Sequence, residues 1–202
     1  DLGLNSKRSK NVILVSDAGG TLNHWHITSG KKLSSIFIET DIYSVDYKSD
    51  ASKFATVGKD HCVRLFDEDT RKEISKMKGS SGYGHDSISG HSNRVFTIKH
   101  CGSFDENIFL TGGWDKTVQF WDIRVGHSIR SIYGPNISGE ALDFCDGNIL
   151  TASYRPKNPL EMWDFHTGKL IDSLNWNKGK YSNDHSLLYA ARLWKSGDGE
   201  VY

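Results

Sequence analysis

The sequence predicts an all-β fold made of repeated four-stranded antiparallel units, and two observations support this prediction. An aromatic residue followed by Asp closes three units, at Phe66-Asp67, Trp121-Asp122 and Trp163-Asp164, with a degenerate copy at Trp25-His26. Successive copies lie 41, 55 and 42 residues apart, and a period of 40–45 residues is typical of propeller blades. We therefore expect a β-propeller, in which neighbouring units share one continuous core.

The unit from 90 to 134 shows the strand pattern most clearly. Short runs with alternating or continuous apolar residues are separated by turn residues, which is typical of strands. Its four predicted strands lie at 94–99, 107–112, 117–122 and 127–133. A Gly-Gly-Trp-Asp-Lys turn at 112–116 joins the second predicted strand to the third, and glycine suits such a tight turn. The units on either side repeat the same order.

The repeat divides the chain into segments of one propeller domain. We expect a loop or remnant at 1–10, a partial blade at 11–38, a blade at 39–78, an insert loop at 79–89, blades at 90–134 and 135–175, and a linker with the start of a further blade at 176–202. The further blade would begin with a strand at Leu187–Leu193. An alternative is that this strand pairs with the partial blade at 11–38 and closes a small ring, because open sheet edges are prone to aggregation.

Composition excludes several classes of function. Basic and acidic residues number 25 each, and zero net charge argues against general affinity for nucleic acid or an anionic membrane. The apolar run Val12–Val15 is far too short to span a bilayer. Three cysteines without C-x-x-C spacing favour neither a disulfide framework nor a zinc site. We expect an intracellular protein with no cofactor, located in the cytoplasm, with a cytoskeletal, ciliary or nuclear location as the alternatives.

One combination of motifs is specific. Gly90-His91 precedes Trp121-Asp122 by about thirty residues, and Asp115-Lys116-Thr117 lies between them. Together with the four aromatic-anchored copies, this combination resembles the WD-repeat β-propeller family over roughly residues 11–202. The resemblance implies rings of about seven blades, so we expect the chain to be part of a larger propeller. It also implies a non-catalytic scaffold whose partners are proteins or peptides within multiprotein complexes.

The resemblance further implies a buried chain of hydrogen bonds within a blade. In this sequence it maps to His91, Asp115, Thr111 and Trp121. The other blades depart from this set. The side chain of Phe66 has no N–H to donate, and Arg155 stands near the place of the turn Asp in the fourth unit.

The family's narrow face, where partner peptides often dock, is implied to carry five residues of this chain. These are Trp114, Arg94, Tyr154, Arg155 and Lys59. Exposed Trp, Tyr and Arg are enriched at binding hot spots. The alternative for Trp114 is that its ring lies flat on a neighbouring blade. The insert brings Tyr83, His85 and Asp86 to the same face, either as partner contacts or as part of a surface loop.

Two other functions stay open. A basic face formed by Lys59, Arg94, Arg155 and Lys157 could bind RNA or a phosphorylated peptide. A hydrolase would draw on Asp60, His85 and Asp86, which lack the spacing of a known catalytic motif, so we expect no enzyme. His24 and His26 share one face of a strand, but no third ligand is positioned, so we expect no metal site.

Overall fold

The computed structural model describes residues 11–79, 89–102, 104–174 and 187–194. These residues form strands β1 to β15 in four antiparallel sheets. The described ranges contain no helix long and apolar enough to cross a membrane. Each sheet is a meander whose strands are hydrogen-bonded in chain order.

The strands have the following bounds. The first sheet contains β1 (Val12–Ser16), β2 (Thr21–His26) and β3 (Lys31–Phe37). The second contains β4 (Ile42–Tyr47), β5 (Lys53–Gly58), β6 (Val63–Asp67) and β7 (Glu73–Met77). The third contains β8 (Val95–His100), β9 (Ile108–Gly113), β10 (Thr117–Asp122) and β11 (His127–Tyr133). The fourth contains β12 (Leu142–Cys145), β13 (Asn148–Ala152), β14 (Leu160–Asp164) and β15 (Leu170–Leu174).

The arrangement of these sheets confirms the predicted fold class. The second, third and fourth sheets are complete four-stranded blades, and the first has three strands. Strand β4 packs against β8, and β8 packs against β12. The first strands of successive blades are therefore neighbours, as a radial arrangement requires.

The hydrophobic core lies between the blades. One cluster joins the first blade to the second, through Leu22 on one side and Phe54 and Phe66 on the other. Similar clusters join the second blade to the third and the third to the fourth. Along β5, Phe54 belongs to one cluster and Ala55 to the next, because successive side chains point to opposite faces of a sheet. Burial on both faces explains the continuous apolar runs in the middle strands.

A β-bulge precedes the repeated aromatic residue in every sheet. The register between the third and fourth strands of each blade shifts just before Phe66, Trp121 or Trp163, and the first sheet has the same shift before Trp25. A bulge turns the strand locally and increases its twist. We did not anticipate this feature from the sequence.

The Asp after the aromatic residue stabilises the following turn. The Asp164 carboxylate accepts hydrogen bonds from the backbone N–H and hydroxyl of Thr167, both at 2.6 Å. Asp67 accepts the same pair from Thr70 at 2.8 and 2.9 Å. These bonds favour the ionised carboxylate and lower the pKa of Asp67 and of Asp164. The aromatic-Asp dipeptide thus combines a core anchor with a turn cap.

The third blade contains a continuous chain of buried hydrogen bonds. The indole N–H of Trp121 donates to Thr111 Oγ1 at 2.7 Å, and Thr111 Oγ1 lies 2.6 Å from His91 Nε2. His91 Nδ1 lies 2.7 Å from the Asp115 carboxylate. Because the carboxylate accepts, Nδ1 carries the proton and the Thr111 hydroxyl donates to Nε2. Burial opposes ionisation of Asp115, but the bond from His91 keeps the pKa of Asp115 below its usual value.

The fourth blade contains a shorter version of this chain. The indole N–H of Trp163 donates to Thr151 Oγ1 at 2.9 Å. No described histidine lies beyond the threonine, and the hydroxyl instead donates to the carbonyl oxygen of Glu161 at 3.4 Å. Thr111 and Thr151 therefore occupy equivalent positions with different numbers of strong partners.

This difference predicts unequal effects of one substitution. Thr111→Val strands both the Trp121 N–H and the His91 Nε2 acceptor, and we expect a loss of about 2–4 kcal/mol in the free energy of unfolding. Thr151→Val strands mainly the Trp163 N–H and should cost about 1–2 kcal/mol. Urea denaturation of the two variants measures the difference. Equal losses would show that His91 contributes nothing through Thr111.

Two blades contain the same type of ion pair with its charges exchanged. In the second blade the turn residue is acidic, and Asp60 contacts Arg64 at 2.5 and 3.1 Å. In the fourth blade the turn residue is basic, and Arg155 Nη2 lies 2.5 Å from Glu161 Oε1. Arg64 and Glu161 both stand two residues before the aromatic residue of their blade. The pair replaces the histidine-centred bonds of the third blade, and the sequence analysis missed it.

The burial of Glu161 in the Arg155–Glu161 pair leads to a testable prediction. Glu161 is 5% exposed, and its Oε2 has no hydrogen-bond partner among the described residues. Arg155→Met leaves this charge uncompensated and should cost about 3 kcal/mol or more in the free energy of unfolding. The double variant Arg155→Met/Glu161→Met should recover most of that loss.

The control for this experiment is an exposed pair. Lys59 Nζ lies 3.5 Å from Asp41 Oδ2, and the Lys59 side chain is 53% exposed. Lys59→Met should therefore change the free energy of unfolding by less than about 1 kcal/mol. A double variant as unstable as Arg155→Met alone would refute the role given to the buried pair.

The predicted strand at Leu187–Leu193 is wrong as a β-strand. Within the described ranges, residues 187–194 form no ladder with another segment, and β1 pairs with β2 alone. The segment instead lies along the fourth blade, where the N–H of Leu193 donates to the Asp143 carboxylate at 2.8 Å. The N–H of His100 donates to Asp46 in the same way at 2.7 Å. The segment thus occupies the position that the first strand of a further blade would take. It does not form a β-strand there, because a β-strand is defined by hydrogen bonds to a neighbouring strand. The alternative of closure with the first sheet is not observed.

Candidate protein-interaction face

Three equivalent turns build one face of the molecule. Lys59, Trp114 and Tyr154 each follow the end of a second strand. Their backbone N–H groups donate to the carbonyl oxygens of Asp41, Arg94 and Asn136, at 3.1, 3.0 and 2.8 Å. Each acceptor lies in the segment that enters the first strand of the same blade. We call the surface formed by these turns and entering segments the narrow face.

Glycine permits the close approach in two of these turns. A Cβ atom at Gly58 would lie 1.9 Å from the carbonyl oxygen of Asp41, and one at Gly113 would lie 2.4 Å from that of Arg94. No side chain fits at such distances. The glycines therefore fix the residues that follow them, Lys59 and Trp114, at the surface of the narrow face.

An aromatic band runs across the second and third blades. Tyr43 stacks on Phe96 with a centroid distance of 5.0 Å and an interplanar angle of 6°. Phe96 contacts Trp114 at 5.0 Å, and the Arg94 guanidinium lies 5.6 Å from the Trp114 ring centroid. The Trp114 indole N–H donates to Ser138 of the next blade at 2.8 Å. Trp114 therefore bridges two blades while its side chain stays 43% exposed.

A second aromatic pair faces this band. Tyr154 and Tyr189 lie 5.1 Å apart and are 39% and 58% exposed. A hydrogen bond with Tyr154 raises the pKa of Tyr189. A groove of about 490 Å³ lies between this pair and Trp114. Its lining consists of Asn93, Trp114, Lys116, Asn136, Ser138, Tyr154 and Tyr189.

The structure brings the five predicted face residues to the narrow face in different roles. Trp114 and Tyr154 line the groove, and Arg94 lies against Trp114. Lys59 forms a salt bridge with Asp41 at the second blade. The Arg155 guanidinium forms an ion pair with Glu161 and donates hydrogen bonds to the carbonyl oxygens of Gly134 and Asn158. Arg155 therefore stabilises its own blade.

Several groove residues were missed by the sequence analysis. Ser138 of the groove and Phe96 of the aromatic band each stand two residues after the entering position of their blade, which is a repeat signal that the sequence does contain. Tyr189 comes from the segment 187–194, whose placement depends on Asp143 and could not be read from spacing. Lys116 adopts a positive φ of 61° beyond the turn Asp.

The other candidate residues have local partners. His24 is fully buried and contacts Ser34 and Glu68, at 3.0 and 3.2 Å. His26 contacts Ser29 at 2.8 Å. Within the described ranges, no group of three or more His, Cys, Asp or Glu side chains is arranged to hold a metal ion. The insert residues Tyr83, His85 and Asp86 lie outside the described residues.

Comparison with known proteins agrees with this geometry. The family model described as "WD domain, G-beta repeat" matches residues 30–67 and 84–122. A U3 small nucleolar RNA-associated protein 21 homolog of Schizosaccharomyces pombe is 23% identical over 154 residues, covering 75% of this chain and 15% of that protein. A guanine nucleotide-binding protein subunit beta of Arabidopsis thaliana is 28% identical over 189 residues, covering 87% of this chain and 47% of that protein. Human WD repeat-containing protein 18 is 24% identical over 160 residues, covering 76% of this chain and 36% of that protein.

Solved structures show the same fold. The structure described as U3-55K superposes with a TM-score of 0.67 at 14% identity, covering 80% of this chain and 47% of that chain. The RRP9 WD40 repeats superpose with a TM-score of 0.66 at 14% identity. This chain spans less than half the length of each of these proteins. The repeat pattern, the bladed sheets and these matches together show WD repeats at 30–67 and 84–122 within a β-propeller fold.

Proposed function

We propose that the chain is a non-catalytic scaffold that binds a partner peptide or protein at the groove of the narrow face. The observation that carries the proposal is the exposed aromatic set at the groove, Trp114, Tyr154 and Tyr189. Aromatic side chains at a rigid concave site are typical of binding hot spots, because they bury a large area at little cost in conformational entropy.

The groove has the rigidity that this role needs. Trp114 is fixed by the hydrogen bond from its backbone N–H to Arg94, the hydrogen bond from its indole N–H to Ser138, and its ring contact with Phe96. A side chain already held in place loses little freedom when a partner binds. The names of the relatives, which include a nucleolar RNA-associated protein and a G-protein subunit, support a role inside multiprotein complexes. They favour the cytoplasm no more than the nucleolus, so the cytoplasmic location stays a prediction.

The alternative of a basic RNA-binding or phosphopeptide-binding face receives less support. Of its four predicted cations, Lys59 pairs with Asp41 and Arg155 pairs with Glu161. An ion pair within the protein reduces the charge available to phosphates. Arg94 and Lys157 are left from the predicted set. The hydrolase alternative is weakened because Arg64 binds the Asp60 carboxylate through two hydrogen bonds.

The proposal predicts that Trp114→Ala weakens partner binding without unfolding the protein. Loss of a hot-spot aromatic costs about 2 kcal/mol or more, which corresponds to about 30-fold in affinity. The measurement is affinity capture from cells with the full polypeptide, followed by titration of the partner that depends on Trp114.

Trp25→Ala is the matched control. Trp25 is also a partly exposed tryptophan, at 36%. The Asp17–Thr21 turn leads into the first residue of β2, whereas Trp25 lies near the last residue of that strand, away from the turn. Its removal should leave capture unchanged. Equal capture by wild type and Trp114→Ala would refute the proposed binding face.

A further inference from the structure

The lining of the groove contains a cation but no carboxylate. Among its seven residues, one is a cation, two are asparagines and none carries a carboxylate. Lys116 is exposed, and its backbone is held by the bond from the N–H of Gly134 to its carbonyl oxygen at 2.8 Å. Arg94 lies beside the groove, against the Trp114 ring.

The carboxylates around the groove are already paired. Asp41 contacts Lys59 at 3.5 Å, Glu140 contacts Arg192 at 2.6 Å, and Glu161 contacts Arg155 at 2.5 Å. Asp115 accepts from the neutral His91 and from the backbone N–H of Ser92, so its hydrogen bonds are satisfied while its charge remains. By contrast, Lys116 and Arg94 form no salt bridge within the described part of the chain. Two cations against the one carboxylate of Asp115 leave a net positive charge at the groove.

The aromatic walls offer mainly apolar surface, and the Tyr154–Tyr189 hydrogen bond uses one of the two phenol hydrogens. The Trp114 indole N–H already donates to Ser138. The polar rim consists of Asn93, Asn136 and Ser138, whose side chains can bond the backbone of an extended peptide. An occupant that complements this groove has an apolar ring for the aromatic walls and a negative charge for the two cations.

We propose that the groove binds an acidic peptide segment that places a proline or aromatic ring between Trp114 and the Tyr154–Tyr189 pair. A carboxylate next to that ring then meets Lys116 or Arg94. This inference rests on the proposed function and names the class of partner that the same face selects. Proline and aromatic rings pack on Trp and Tyr faces with little loss of freedom, and the cations determine the sign of the flanking charge.

The test uses a display library of random linear peptides selected on the full chain. We expect enriched peptides to carry Asp or Glu within a few residues of a proline or aromatic residue. A representative synthetic peptide should bind Trp114→Ala about tenfold or more weakly. It should bind the charge-reversed variants Lys116→Glu and Arg94→Glu about tenfold more weakly, with an affinity that falls as salt increases.

Lys169→Glu is the control for charge reversal. Lys169 is exposed in the turn before β15 and lies outside the groove. Its reversal makes the same change in net charge and should leave binding unchanged. An equal loss in Lys169→Glu would mean that the general charge of the protein, and not the groove, attracts the peptide, which overturns the inference.

The remaining outcomes separate this inference from the proposed function. Selection of Trp114-dependent peptides that are neutral or basic overturns the acidic preference but keeps the binding face. Failure to select any Trp114-dependent peptide overturns both. Single-stranded RNA that displaces the peptide and loses affinity in Lys116→Glu also overturns the inference, because the groove would then select phosphates.

Discussion

Within the described part of the chain no blade has a hydrophobic core of its own, and each blade is stabilised by packing against its neighbours. The apolar side chains of each sheet point to both faces and meet those of the neighbouring sheets, so the core clusters lie between blades. Phe54 and Phe66 face one neighbour, while Ala55 and Leu65 face the other. A fold of this kind is stabilised by nearest-neighbour interfaces, and it places the connecting turns of every blade on a shared surface.

That shared surface explains how a repeated framework produces the groove at the third and fourth blades. The same backbone bond positions Lys59, Trp114 and Tyr154 in successive blades, while the side chains at these positions differ. The interior shows the same freedom. A histidine-centred chain of bonds holds the third blade, and ion pairs of opposite orientation hold the second and fourth. The framework thus constrains the backbone and leaves the chemistry of each blade variable.

The positions of the sheets could be predicted from the sequence, because they follow from the repeat. The spacing of Phe66, Trp121 and Trp163 located the sheets, because each blade needs a large aromatic residue in the interface with its neighbour. Pairings that depend on three-dimensional neighbours could not be read in this way. Glu161 looks like an ordinary polar strand residue until Arg155 folds over it. The segment 187–194 has the pattern of a strand but no described strand beside it. The groove could not be predicted either, because one of its walls includes Tyr189, which lies 35 residues beyond Tyr154 in the chain.

A partner that engages the groove of a rigid propeller should perturb the groove and leave the blade interiors unchanged. The ¹H–¹⁵N spectrum of the tryptophan indole groups, titrated with a captured partner, measures both. The indoles of Trp121 and Trp163 are bonded to buried threonines, whereas that of Trp114 lies at the groove. We expect the Trp114 resonance to shift while those of Trp121 and Trp163 stay in place. An unchanged Trp114 resonance, or shifts centred on the two buried indoles, would contradict the account.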